Sequence, residues 1–309
     1  MMFLLRSWPL LLTLLTLAAA GPAHAQAPRT VQVLTRTLEQ SFACPPGTLV
    51  RIRAEKATLR VQGWDQPTVQ VVLRLSARHP DRAIAGQDLP AARHQLRQSG
   101  GVIDLVNYFS LPANAPALRA DLRAEFTIHL PAAAAVEIVN AYGQTFLLDL
   151  TGRQQLTQDF GQITLQNLRG SLQTTLRYAD LQATNTHLTF TCDADKSALR
   201  LTQAAGRYTI RNRYGSVYFA PTAALLGAFI DAERSAVTLA VPQLDHFRYR
   251  LATAQGTLTV PPSLAAARRG RPTHPSLDVP IPAPAPLIRV ETSYAPLTLE
   301  TLPPLLIKY

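Results

Sequence analysis

Four charged residues recur at steps of eighteen: Asp159, Arg177, Asp195 and Arg213. Carboxylates beside guanidinium groups on one surface are what a polysaccharide-cleaving site needs. There, one acid protonates the leaving oxygen and a second group acts as base or nucleophile. The same row also suits a structural ladder. Its signs alternate, so each charge meets opposite partners, and matched cross-strand pairs stabilise by about 0.2–1 kcal/mol each. The ladder accounts for the row better, because alternating partners neutralise one another and leave no acid with a raised pKa. One residue further on, a second row reads Tyr142, Phe160, Tyr178, Lys196 and Tyr214. Stacked rings attract, and a Lys between two Tyr can form cation–π contacts. Core or turn packing is the first reading of this row. A partly exposed row would add a surface on which sugars stack.

Other chemistry finds no support. The glycines are spaced for turns, not as a phosphate-cradling loop before a helix. No Ser sits in a Gly-x-Ser-x-Gly elbow. His79, His94, His129, His187, His246 and His274 are scattered, with no two at metal-ligand spacing. Asp193 and Asp195 alone lack the further oxygen ligands that calcium requires. No cofactor, no metal and no catalytic residue is expected.

The rows imply the elements that hold them. Asn140-Ala141-Tyr142-Gly143-Gln144-Thr145-Phe146-Leu147 aligns with Gln158-Asp159-Phe160-Gly161-Gln162-Ile163-Thr164-Leu165, and the register continues to Phe219 without a gap. The unit is aromatic, small, any, apolar, any, apolar. Gly143, Gly152, Gly161 and Gly170 add a half-period of nine. Alternating apolar positions after each turn, such as Ile163 and Leu165 or Val217 and Phe219, carry the strand period. Cys192 falls on such an inward position beside Phe190 and reads as core. One short unit cannot bury its apolar face alone, so neighbours must stack. The expected fold is therefore all-β: a single-stranded parallel β-helix, or β-solenoid, of 18-residue coils with a less regular N-terminal third. An antiparallel meander with nine-residue steps is the alternative.

Outside the regular coils, at about 136–220, strands are expected near residues 59–75, 93–106 and 122–130. Residues 78–92 and 110–118 read as excursions rich in Pro and Ala. After Phe219 the register slips. Residues 261–286, rich in Pro, Ala and Arg, are expected to form an exposed loop or linker. Tyr294-Ala295-Pro296-Leu297-Thr298-Leu299 restores the pattern as a final, capping strand. The expected organisation is a signal peptide at 1–25, an N-terminal extension at 26–40 and one solenoid domain at 41–309.

The N-terminal reading rests on Arg6, a short apolar run from Leu10, and Ala23-His24-Ala25 before Gln26. It predicts export to the periplasm, the outer-envelope surface or beyond, with no transmembrane segment in the mature chain. The formal net charge is +10, and Lys56, Lys196 and Lys308 are the only lysines, so the basic field is carried by arginine. Such a field attracts anionic polymers. Export and the lack of a helical or zinc motif argue against nucleic acid. Cys44 and Cys192 leave open whether an exported chain would bridge them.

Three segments carry a resemblance. They are Val61-Gln62-Gly63-Trp64-Asp65-Gln66-Pro67-Thr68-Val69, Ile128-His129-Leu130-Pro131 leading to Asn140-Ala141-Tyr142-Gly143, and the recurring aromatic-Gly-x-apolar unit. With them the chain resembles the β-strand-repeat putative adhesin family of exported bacterial proteins over roughly residues 40–300. The resemblance implies an exported solenoid and supplies no catalytic residues. Lys196-Ser197 in place of aromatic-Gly and the 261–286 insertion depart from the pattern. The expected function is a non-enzymatic adhesin-like or envelope scaffold module that binds an anionic glycan or another envelope component. A polysaccharide lyase or hydrolase, and a protein-binding partner in envelope signalling, are the alternatives.

Overall fold

Alternating apolar residues become strands that bury one face and leave the other in water. The computed structural model describes residues 30–280 and 284–302, and the expected signal peptide lies outside them. The chain opens with β1 (Gln32–Ala43), β2 (Leu49–Glu55), β3 (Ala57–Trp64) and β4 (Thr68–His79). A short helix, α1 (Arg82–Asp88), is capped by the Asp81 carboxylate, which accepts the Ala83 N–H at 2.7 Å. Then come β5 (Ala92–Ser99), β6 (Val102–Phe109) and β7 (Asp121–Pro131). The regular array runs through β8 (Ala135–Leu148), β9 (Arg153–Gln166), β10 (Arg169–Asp195), β11 (Ala198–Arg213) and β12 (Ser216–Glu233). It is followed by β13 (Ala236–Val241), β14 (Arg248–Ala254), β15 (Leu258–Thr259), β16 (Arg268–Arg271), β17 (His274–Val279), β18 (Leu287–Ser293) and β19 (Leu297–Thr301). All of these strands join one large sheet, mostly parallel and not closed.

Parallel pairing at a step of eighteen dominates the middle. Val136 lies opposite Gln154, Arg153 opposite Ser171, and Leu181 opposite Leu199. The step changes to twenty along β12, where Arg207 meets Gly227, just after Pro221 interrupts the ladder. Below β8 the array continues onto β2 and β3, which bend at Lys56 and pair with the two limbs of β8. The limbs on either side of each bend bury their inward side chains together. Tyr208, before a bend, meets Phe219, after one, edge-on at 5.2 Å, and Phe190 packs on Tyr208 at 5.6 Å. Cys192 sits in this core, as its position predicted. Cys192 and Cys44 are both buried and free, so no bridge joins them.

Four expectations change. Residues 26–40 are not simply an extension: β1 starts at Gln32 and pairs antiparallel with β4 along its whole length. Both ends of the sheet are mixed, because the pairs β4–β7, β5–β6, β14–β17 and β16–β17 are also antiparallel. Residues 261–286 are not an open linker. They contain the hairpin of β16 and β17, which adds to β14 through β17. All four residues of β16 are exposed, so that strand has no apolar alternation to betray it. Finally, β18 and β19 do not cap the array. They lie between β12/β13 on one side and β14/β15 on the other.

Candidate binding surface

A parallel stack with bends needs a residue at each bend whose backbone is left-handed. The bends do not fall every nine residues. They alternate at seven and eleven, at Tyr142, Asp149, Phe160, Asn167, Tyr178, Asn185, Lys196, Gln203 and Tyr214, all with φ between 52° and 64°. Asp149, Asn167 and Asn185 tolerate this conformation well. Their side chains stack too: Asn167 donates to Asp149 at 2.9 Å, and Asn185 to Asn167 at 2.7 Å.

The other column is the sequence's aromatic row, and here the left-handed backbone costs about 1–2 kcal/mol per residue. Two features hold it. The following residue is small, because its backbone lies against the unit below. A Cβ on Gly161, at φ 119°, would stand 1.8 Å from the Gly143 carbonyl oxygen. Buried amides two residues before a bend also tie down its carbonyls. Gln158 Nε2 donates to Gly143 O at 3.0 Å and to Gln162 O at 3.3 Å, and Asn212 does the same for Ser197 and Ser216.

Tyr142, Phe160, Tyr178 and Tyr214 are all exposed. Tyr142 and Phe160 stack at 4.8 Å and 5°, and Phe160 and Tyr178 at 5.0 Å and 9°. Lys196 Nζ lies 4.7 Å from the Tyr178 ring centroid and donates to its hydroxyl at 2.6 Å. That hydrogen bond holds the ammonium above its ordinary pKa. The rings therefore cover one another's faces, and water meets their edges. A sugar stacking along the row, as exposure alone would suggest, has no free face between Tyr142 and Lys196.

The structure extends this column past its sequence limits. Lys56 stands below Tyr142 at φ 46°. Above Tyr214 come Arg234 at 49° and Tyr294 at 56°, with Gln255 at the end. The Arg234 guanidinium lies between two rings, 5.4 Å from Tyr214 and 5.6 Å from Tyr294, and donates to the Tyr214 hydroxyl at 2.9 Å. Sequence reasoning missed Lys56 and Arg234, whose steps to a neighbour are 86 and 20; it read Tyr294-Ala295 as a return of the pattern but, across a step of 60, did not place it in this column. The one available signal was the small residue after each: Ala57, Ser235 and Ala295.

The charged row lies beside this column on the outer face. Arg177 makes two hydrogen bonds of 2.7 Å to Asp159, and Arg213 lies 4.0 Å from Asp195. Among the described residues no ion pair joins Arg177 to Asp195, so the row is two pairs and not a continuous ladder. A parallel row two residues earlier pairs Asp193 with Arg211 at 3.8 Å. Asp231 and Glu233 follow in register beside Arg211 and Arg213. All of these residues except Asp159 line an open groove of about 480 Å³. The three arginines Arg177, Arg211 and Arg213 face the four carboxylates Asp193, Asp195, Asp231 and Glu233 there, so the groove has no excess of positive charge.

No protein-family model and no curated protein matches the chain. Among solved structures, it is similar to a putative cell adhesion protein from Clostridium sporogenes, at 10% identity over 86% of this chain and 100% of the other, with a TM-score of 0.27. It is similar to a putative lipid binding protein from Parabacteroides distasonis, at 9% identity over 86% and 96% with a TM-score of 0.42. A putative adhesin from Parabacteroides merdae matches at 6% identity over 85% and 96%, with a TM-score of 0.35. Two of the three bear an adhesion name.

Proposed function

We propose that the chain is an exported β-solenoid of 18-residue coils that serves as a non-enzymatic, adhesin-like binding module for a glycan of the envelope or its surroundings. The observation that supports this most is the open polar groove beside the ring column. It offers guanidinium donors and carboxylate acceptors in rows about 4.8 Å apart, the strand spacing. Rigid rows of this kind suit a ligand with many hydroxyl groups, held by many weak contacts. The carboxylates Asp159, Asp193 and Asp195 each meet an arginine. None is set apart from its neighbours as an acid–base pair requires. Tyr178, Lys196 and Tyr214, each next in sequence to a groove residue, contribute ring edges and one ammonium at the groove's margin, and Tyr142 and Phe160 continue that column below it.

The test is a glycan array probed with the chain from Gln26 at low and moderate salt, with reducing-sugar release followed in parallel. Saturable binding without release is the expected result. Release of product would overturn the non-enzymatic reading and point to the face from Asp159 to Arg213. Retention of an envelope protein, with no glycan bound, would replace the ligand class.

A further inference from the structure

Both faces of Phe160 and of Tyr178 are covered, but the stack has a lower end. Tyr142 stacks on Phe160 with one face only, so its other face is turned toward the unit that holds Lys56, Ala57 and Thr58. At 56% relative exposure Tyr142 is the most open ring of the stacked trio. Beneath it lies a depression of about 410 Å³, lined by Tyr142, Gly143 and Gln144 above, Lys56 to Thr58 below, and Asp121 to Ala124 at the side. The side wall arises from register. β7 runs parallel to β3 with Ala124 opposite Ala57, so Asp121 and Arg123 project past the Lys56 bend. The volume is in the range of small-molecule sites, about 300–1,000 Å³.

The polar groups sort themselves. Arg123 donates to Asp121 at 2.8 Å, so those two charges satisfy each other. Lys56 is exposed, and among the described residues it has no ion-pair partner and lies over no ring. This differs from Lys196 and Arg234, which cover the rings next to them. The Gln144 amide is exposed and adds a donor and an acceptor.

We infer that this depression is a subsite for an acidic sugar residue, with the C–H face of a pyranose ring on the free face of Tyr142 and its carboxylate on the Lys56 ammonium. Asp121, Arg123 and Gln144 are placed to hydrogen-bond the ring hydroxyls. The uncovered ring face supplies the platform that Phe160 and Tyr178 lack, and the unpaired ammonium supplies the selectivity for charge that the balanced groove lacks. The inference rests on the glycan-binding reading above and narrows it to one place and one sugar class.

The test titrates the chain from Gln26 with trigalacturonate and, in parallel, the neutral trigalactose, following tyrosine fluorescence and heat. Trigalacturonate is expected to bind at least tenfold more tightly. Lys56→Met should abolish that preference by weakening only the acidic ligand. Tyr142→Ala should weaken both ligands at least tenfold, and Tyr218→Ala, outside both the depression and the groove, should weaken neither. Equal affinity for the two sugars, no effect of Lys56→Met, or an equal loss with Tyr218→Ala would overturn the subsite. Should array glycans bind while Tyr142→Ala and Lys56→Met change nothing, the subsite fails and the binding module stands. Should no sugar bind at all, both fail.

Discussion

Phe160 shows how a single residue can be both strained and stabilising. Its left-handed backbone costs about 1–2 kcal/mol, and its two ring contacts return about 0.5–1.5 kcal/mol each. Phe160→Ala should lose the stacking and keep most of the strain. Phe160→Gly should lose the same stacking but relieve the strain, and so should be the milder change by about 1 kcal/mol. Denaturant unfolding of the two variants measures the difference directly. Gly161 is less forgiving. A methyl group there enters the Gly143 carbonyl oxygen at 1.8 Å on a backbone with φ 119°. Gly161→Ala should cost about 2 kcal/mol or more, read as a lowered denaturant midpoint. These effects were half legible in the sequence. The aromatic-small pair and its step of eighteen were visible, but which member of the pair carried the bend was not. The aromatic does, because only the next residue lies flat against the backbone of the unit below.

Among the elements, the position of β18 and β19 has the clearest consequence. They lie within the sheet, and they bury Ile288, Val290, Leu297 and Leu299. Without them β12 and β14 would each lose a parallel neighbour, and unpaired strand edges are the usual starting point for local opening and aggregation. A chain cut before Leu287 should therefore expose residues 242–279 to limited proteolysis, while the array from β8 to β12 stays resistant. Equal resistance of that segment in the cut and uncut chains would contradict the placement. Sequence pattern alone had put the last strand at the end. Periodicity reports which residues face inward, but it carries no information on the order in which units stack once insertions separate them.

For the whole molecule, the core makes a prediction about pH. Burial pushes the Cys192 thiol from an ordinary value near 9 up to about 12, and the Tyr208 hydroxyl from 10 up to about 12. Tyr249 moves in the same direction, also through burial. In the folded chain these groups keep their protons where the unfolded chain would lose them. The native state thus binds more protons between pH 9 and 12, and stability falls as pH rises through that window. Below pH 9 their contribution is fully present. Thermal unfolding should show a flat midpoint through neutral pH and a decline above 9, and Cys192→Ala should flatten the first part of the decline. A midpoint unchanged up to pH 12 would refute the burial of these groups.

What the sequence determined by itself was local and periodic: the all-β class, the step of eighteen, the inward positions including Cys192, and the two rows that repeat at that step. These follow from side-chain alternation and from turn chemistry, which neighbouring residues specify on their own. Tertiary structure alone decided the rest. It set Lys56, Arg234 and Tyr294 into the ring column across steps of 86, 20 and 60, folded residues 268–279 into a hairpin on the sheet, and slid the last unit between two earlier ones. It also turned Tyr142, Phe160 and Tyr178 face to face, leaving the lower face of Tyr142 open above Lys56. Each of these depends on which backbone edges meet in space, and pairing between distant edges is settled by the packing of the whole chain.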